Sequence, residues 1–112
     1  MFKEIGQIAG MLKNLGKLRE EAERFRSRLA ELQTEGMAGG GLVRVRVNGR
    51  LEVLRIEIAP DAPLQDREML EDLITAAVNM ALDKARELAS QEAQKMAQAL
   101  GVPPGMEIPG LT

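Results

Sequence analysis

From Ile8 to Leu32, apolar side chains return at alternating steps of three and four residues: Ile8, Met11, Leu15, Leu18, Ala22, Phe25, Leu29 and Leu32. Ile8, Leu15, Ala22 and Leu29 take position a of four successive heptads, and Met11, Leu18, Phe25 and Leu32 take position d. The spacing predicts one long helix over 3–35. A helix buried inside a globular domain carries a wider apolar stripe, so this narrow seam favours a coiled-coil-like contact. Gly6, Gly10 and Gly16 each cost about 1 kcal/mol relative to Ala in a helix interior, so the first turns should fray. Gly36 is the expected stop, with "GMAGGG" carrying the chain into the next element.

Length turns this seam into a constraint. A helix of about 30 residues is ~45 Å long, whereas a compact 100-residue domain has a radius of gyration of only ~13 Å. The chain has 112 residues, which fits one small domain. Such a helix overshoots its own domain, and the overshooting seam needs a second chain to cover it. A homodimer with Ile8, Met11, Leu15, Leu18, Phe25, Leu29 and Leu32 in the seam is the economical solution.

The next stretch, "LVRVRVNGRLEVLRIEI", holds two strand-like runs around Asn48-Gly49, a strong hairpin signal. A two-residue turn sets Val47 opposite Arg50, Val45 opposite Glu52 and Val43 opposite Leu54. Val43, Val45, Val47, Leu54, Ile56 and Ile58 then share one face, and this register is the preferred one. A three-residue loop with a bulge at Gly49 joins Val43 and Val45 to Leu51 and Val53 instead, and pairs Arg44 with Glu52. A bulge near Val53 would reconcile the two by splitting the second run, giving a small antiparallel sheet over 42–58 of two or three strands.

Pro60 and Pro63 close this region. A second helix is expected over 66–100, with Asp66 as N-cap and Glu68, Glu71 and Asp72 near its positive end. Met69, Leu70, Leu73, Ile74, Ala77, Val78, Met80 and Ala81 span a broad arc that should pack on the sheet. Beyond Lys84 the stripe thins to Ala85, Leu88, Ala89, Ala93, Met96, Ala97 and Leu100, the pattern of an exposed or partner-facing arm. The segment 102–112, "VPPGMEIPGLT", is rich in Pro and Gly, is expected to be extended, and should add little to stability. The fold class is α+β.

The residue inventory narrows the chemistry. The chain has no Cys and no His, which removes disulfides, thiolate metal sites and the commonest general base near neutral pH. "GMAGGG" follows a helix and precedes a strand, the reverse of a phosphate loop, and no Lys-Ser/Thr comes after it. Carboxylate pairs such as Glu68/Asp72 and Glu71/Glu87 have no convergent polar cluster around them. The methionines at core-like positions, Met11, Met69, Met80 and Met96, read as gap fillers. No enzyme activity, cofactor, metal or small-molecule substrate is expected. The opening "MFKEIGQIAGMLKN" has no continuous apolar core, so neither a signal peptide nor a membrane span is expected, and a cytoplasmic setting is the simplest.

Charge is unevenly spread. The first sixty residues carry eleven Lys/Arg against eight Asp/Glu, a balance of +3, and the remainder carry four against nine, a balance of −5. This points weakly to a polyanion partner on the basic half, or equally to one half of a subunit docking on the other half of its mate. With about 100° per residue, Lys3, Lys13, Lys17, Arg24 and Arg28 fall in a sector of ~80° away from the seam. Glu20, Glu23 and Glu31 interrupt or flank it, and Glu20 stands four residues before Arg24, an ordinary helix-stabilising pair. On pattern alone a solvated helix face is the commoner explanation, with a grip on phosphates as the alternative. Phe2 and Phe25 are the sole aromatics, which disfavours base stacking and leaves backbone-directed binding.

Four stretches, "GLVRVRVNG", "VLRIEIAP", "EMLEDLITAAVNMAL" and "VPPGMEIPG", together with the seam-bearing helix, resemble the YbaB/EbfC family of bacterial nucleoid-associated proteins over essentially the whole chain. Where many members carry Asn-Asp in the second helix, this chain has Asn79-Met80. The resemblance implies a helix, a small antiparallel sheet and a second helix assembled as a tweezer-like homodimer. It also implies binding to double-stranded DNA in the nucleoid. Family contacts with DNA are associated with the projecting helices, and by position and charge this directs attention to Lys13, Lys17, Arg24 and Arg28. A dimeric protein–protein adaptor without nucleic-acid binding is the alternative.

Overall fold

The computed structural model describes residues 2–101, with the side chains of residues 2 and 3 excepted; the 102–112 segment lies outside the described residues. Five elements follow in order: α1 (Phe2–Glu31), β1 (Gln33–Ala38), β2 (Val43–Asn48), β3 (Val53–Ile58) and α2 (Arg67–Ala99). The strands form one antiparallel sheet in the order β1-β2-β3, so the fold is α+β. The molecule measures 75 × 23 × 19 Å, with a radius of gyration of 20.6 Å. Its length comes from two helices that outreach the sheet, as the ~45 Å expected of a 30-residue helix requires.

The helix expected over 3–35 ends earlier, at Glu31, and the sheet expected over 42–58 begins at Gln33. Two causes are visible. Gly49 N–H donates to both Leu29 O and Leu32 O at 2.9 Å, which occupies carbonyls that a continuing helix would use. Beyond that point Thr34, Gly36 and Ala38 pair with Val47, Val45 and Val43, so small residues alternate on the face turned toward α2. Gly36 is required there by close approach. A Cβ at this position would overlap Ala77 O and Ala81 N of α2, and would lie 2.9 Å from Ala81 Cα. The third strand therefore comes from residues ahead of the hairpin, not from a split of its second run.

The hairpin register also differs from the expected one. Val43 pairs with Ile58, Arg44 with Glu57, Val45 with Ile56 and Arg46 with Arg55; the register then shifts, and Val47 pairs with Val53. Leu54 is the extra residue of this bulge, which puts Val53, Ile56 and Ile58 on the face of Val43, Val45 and Val47. The connection is four residues long because Asn48 organises it. Its Oδ1 accepts from Arg50 N at 3.0 Å and Glu52 N at 3.2 Å, while its Nδ2 donates to Glu52 Oε1 at 3.0 Å. Gly49, which a two-residue Asn-Gly turn would hold in the left-handed region, does not adopt it. That conformation falls to Leu51, at φ 63°.

The core lies between the sheet and α2. Val43, Val45, Val47, Ala77, Ala81 and Ala85 are fully buried, flanked by half-buried Leu70, Leu73, Ile74, Val78 and Leu82. Asp66 caps α2 as expected, its Oδ1 accepting from Met69 N at 3.1 Å. Helix α2 covers β1 and β2 but not β3. Val53, Ile56 and Ile58 consequently stay exposed, although their strand partners are buried.

Candidate nucleic-acid interface

Helix α1 divides into a docked part and a free arm. Phe25 and Leu29, at d and a of the heptad pattern, are buried within their own chain. Phe25 lines a small cavity with Met96, Ala99 and Leu100 of α2 and the segment after it, and Leu29 packs against Gly49. Leu32 lies just past the helix end and is half-buried. Toward the N-terminus the seam has no cover. Ile8, Met11, Leu15 and Leu18 are 50–64% exposed, and Ile5 and Leu12 beside them widen the apolar stripe.

The four basic residues follow the same division. All four are exposed on α1, and Lys13 to Arg28 covers ~22 Å of helix at 1.5 Å per residue. Among the described residues Lys13 and Lys17 take part in no ion pair, so their ammonium groups are available to a ligand. Arg24 is held by Glu21 of its own helix, Nη1 to Oε1 3.0 Å. Arg28 Nη1 stands 3.6 Å from Glu92 Oε2 and so ties α1 to α2, while Lys95 Nζ approaches the other oxygen of that carboxylate at 3.5 Å. Arg24 and Arg28 also share a shallow groove with Glu20, Glu23, Ser27 and Glu31, whose carboxylates oppose an incoming phosphate. The distal lysines are thus the unencumbered half of the stripe.

The sheet adds cations outside the projecting helices. The alternation that buries Val43, Val45 and Val47 turns Arg44 and Arg46 to the opposite face, where Arg55 joins them in register from β3. The signal was present in "VRVRV" as the polar half of the alternation. What the sequence could not show is that Arg46 and Arg55 stand directly across from one another.

No helix among the described residues is long and apolar enough to cross a membrane. The family model for the YbaB/EbfC DNA-binding family matches residues 4–100. The chain is 39% identical over 104 residues to the nucleoid-associated protein BAV0915 of Bordetella avium (strain 197N), covering 93% of this chain and 96% of that protein. Its fold matches the crystal structure of the uncharacterized protein HP0035 from Helicobacter pylori. The TM-score is 0.67 at 23% identity, over 77% of this chain and 91% of that one.

Proposed function

This chain belongs to the YbaB/EbfC DNA-binding family, and from that premise we propose that it binds double-stranded DNA in the nucleoid as a homodimer, gripping phosphates with little regard to sequence. The observation that carries this reading is the pair Lys13 and Lys17, exposed and free of ion pairs among the described residues, on an arm that projects from the domain. Arg24 and Arg28 extend the stripe toward the sheet, each partly engaged by a carboxylate. A few cations per subunit make a weak site. Two arms on one duplex act at a raised effective concentration, so dimerisation is what makes the grip useful. Contacts to phosphate position a protein without reading bases, and a chain so poor in aromatic residues has little with which to stack them.

The dimer contact we favour is the uncovered side of β3. Every residue from Val53 to Ile58 is exposed, including Val53, Ile56 and Ile58 on the face that α2 leaves open. An exposed apolar edge strand invites pairing with another chain, and a second copy would satisfy its backbone and cover its side chains. The α1 seam is the weaker contact. With Phe25 and Leu29 spent inside the chain, about two heptads remain, fewer than the three or four a sustained coiled coil needs.

The exposed stripe Ile5, Ile8, Met11, Leu12, Leu15 and Leu18 favours a second reading, in which the arms dock another protein and DNA is not bound. Equilibrium binding to two duplexes of unrelated sequence across a salt series separates the two. Similar, salt-sensitive affinities support the DNA reading, and no binding at low salt leaves the adaptor.

A further inference from the structure

The face of the sheet turned away from α2 gathers three arginines, Arg44 and Arg46 of β2 and Arg55 of β3, two of which stand directly opposite one another. Arg44 and Arg46 are exposed neighbours on that face of β2, and among the described residues neither takes part in an ion pair. Arg46 is in register with Arg55 of β3. Like charges directly opposite on adjacent strands destabilise a sheet, and any uncharged polar residue would serve an exposed strand position without that cost. Arg55 is oriented from its other side, its Nε 3.0 Å from Glu57 Oε1. That contact is made through Nε, and among the described residues the terminal nitrogens take part in no ion pair. The acids nearby are Glu57, in register with Arg44 but in ion-pair contact with Arg55, and half-buried Glu35, in register with Arg46 but forming no ion pair with it.

We propose that Arg44, Arg46 and Arg55 form a second phosphate-binding surface, which takes the phosphodiester backbone of a duplex against the outer face of the sheet. Guanidinium forks match phosphate oxygens two at a time, which a lysine ammonium cannot do. Residues two apart on a strand stand roughly 6.8 Å apart and neighbouring strands roughly 4.8 Å, so the sheet holds the three groups in a fixed, closely spaced set. A phosphate between Arg46 and Arg55 converts their repulsion into two attractions. This surface is separate from the arm, because Lys13 lies ~27 Å along α1 from the helix end that joins the sheet. The proposal rests on the reading that the chain binds duplex DNA, and adds to it a rigid surface beside the arms.

The test compares four full-length proteins: the native chain, Lys13→Gln/Lys17→Gln, Arg44→Gln/Arg46→Gln/Arg55→Gln, and all five substitutions together. Fluorescence anisotropy with a labelled duplex across a salt series gives affinity and slope, and thermal melting without DNA gives stability. Each neutralised phosphate contributes about 0.9 to the steepness of log affinity against log salt, so the sheet variant should be shallower by about 2–3 per subunit engaged. Its melting temperature should stay close to native, because the lost Arg46/Arg55 repulsion offsets the lost exposed Arg55–Glu57 pair. The five-fold variant should lose more slope than either parent. A folded sheet variant with native affinity and slope, beside an arm variant that is weakened, overturns this inference alone. Absence of binding by the native chain overturns both it and the reading of the arms.

Discussion

Arg28 Nη1 lies 3.6 Å from Glu92 Oε2, too far for a hydrogen bond, and that oxygen is buried without any hydrogen-bond partner among the described residues. The pair crosses from α1 to α2 where Phe25 packs beside Met96, so it sits at the root of the projecting arm. Arg28 is therefore as much a support of the arm as a ligand for phosphate. Removing one partner of a buried ion pair leaves an uncompensated charge. The Arg28 side chain is half exposed and Lys95 stays close to Glu92, so we expect Arg28→Gln to cost about 1–2 kcal/mol in urea unfolding, below the fully buried case. Glu92→Leu should be neutral or stabilising, and should cancel the cost of Arg28→Gln when the two are combined. An Arg28→Gln protein of native stability would refute the pairing.

Gly36 sets how closely β1 approaches α2. The obstacles to a Cβ are backbone atoms, Ala77 O, Ala81 N and Ala81 Cα, which cannot turn aside as a side chain could. We expect Gly36→Ala to destabilise by about 3 kcal/mol, at the upper end for overpacking a core. The urea midpoint against the native chain measures this. A loss below about 0.5 kcal/mol would mean that α2 sits further from the sheet than this close approach implies.

At the hairpin, two substitutions should act in opposite directions. Gly49→Ala would place a Cβ 2.8 Å from Leu29 O, against the end of α1, so it should destabilise although φ there is not positive. Leu51 carries the left-handed conformation at φ 63° and is 43% exposed, so its side chain offsets the strain with only part of a leucine's burial. Leu51→Gly should relieve about 1–2 kcal/mol of strain while costing chain entropy and partial burial, for a small net gain of at most about 0.5 kcal/mol. Thermal melting of the two single variants checks both signs.

These positions show what the sequence made legible. Periodicity marked α2, its Asp66 cap and the inward valines of β2, because each of those signals is local. Residues Gln33–Ala38 were hidden. Gln, Glu, Met and Ala are good helix formers and follow directly on the seam, and their extended state depends on pairing with β2 and the small-residue face of α2. Asn48-Gly49 announced a turn but not its kind, since the Gly49 N–H is drawn away by the carbonyls at the end of α1. The basic stripe could be read from composition and spacing. Its division into free lysines and engaged arginines could not, because Glu92 reaches Arg28 from a distant part of the chain.

If β3 is the dimer contact, Ile56→Lys with Ile58→Lys should yield a folded monomer, since each side chain would carry a charge into the interface. Ile8→Lys with Leu15→Lys should leave the dimer intact. Light scattering after size exclusion at micromolar concentration reads the mass directly. The reverse pattern would return the contact to the α1 seam, and a native chain of one-subunit mass would remove the homodimer.

The most direct measurement is the salt dependence of duplex binding by Lys13→Gln/Lys17→Gln beside the native chain, on two unrelated sequences. Neither lysine takes part in an ion pair among the described residues, so melting temperature and mass should stay native. If two subunits engage the duplex as proposed, four ammonium groups are lost, and at about 0.9 per phosphate the slope of log affinity against log salt should flatten by up to roughly 3.6. Affinity should fall alike on both sequences. A folded double variant with native affinity and native slope would contradict the phosphate grip and leave these lysines as the solvated side of the helix.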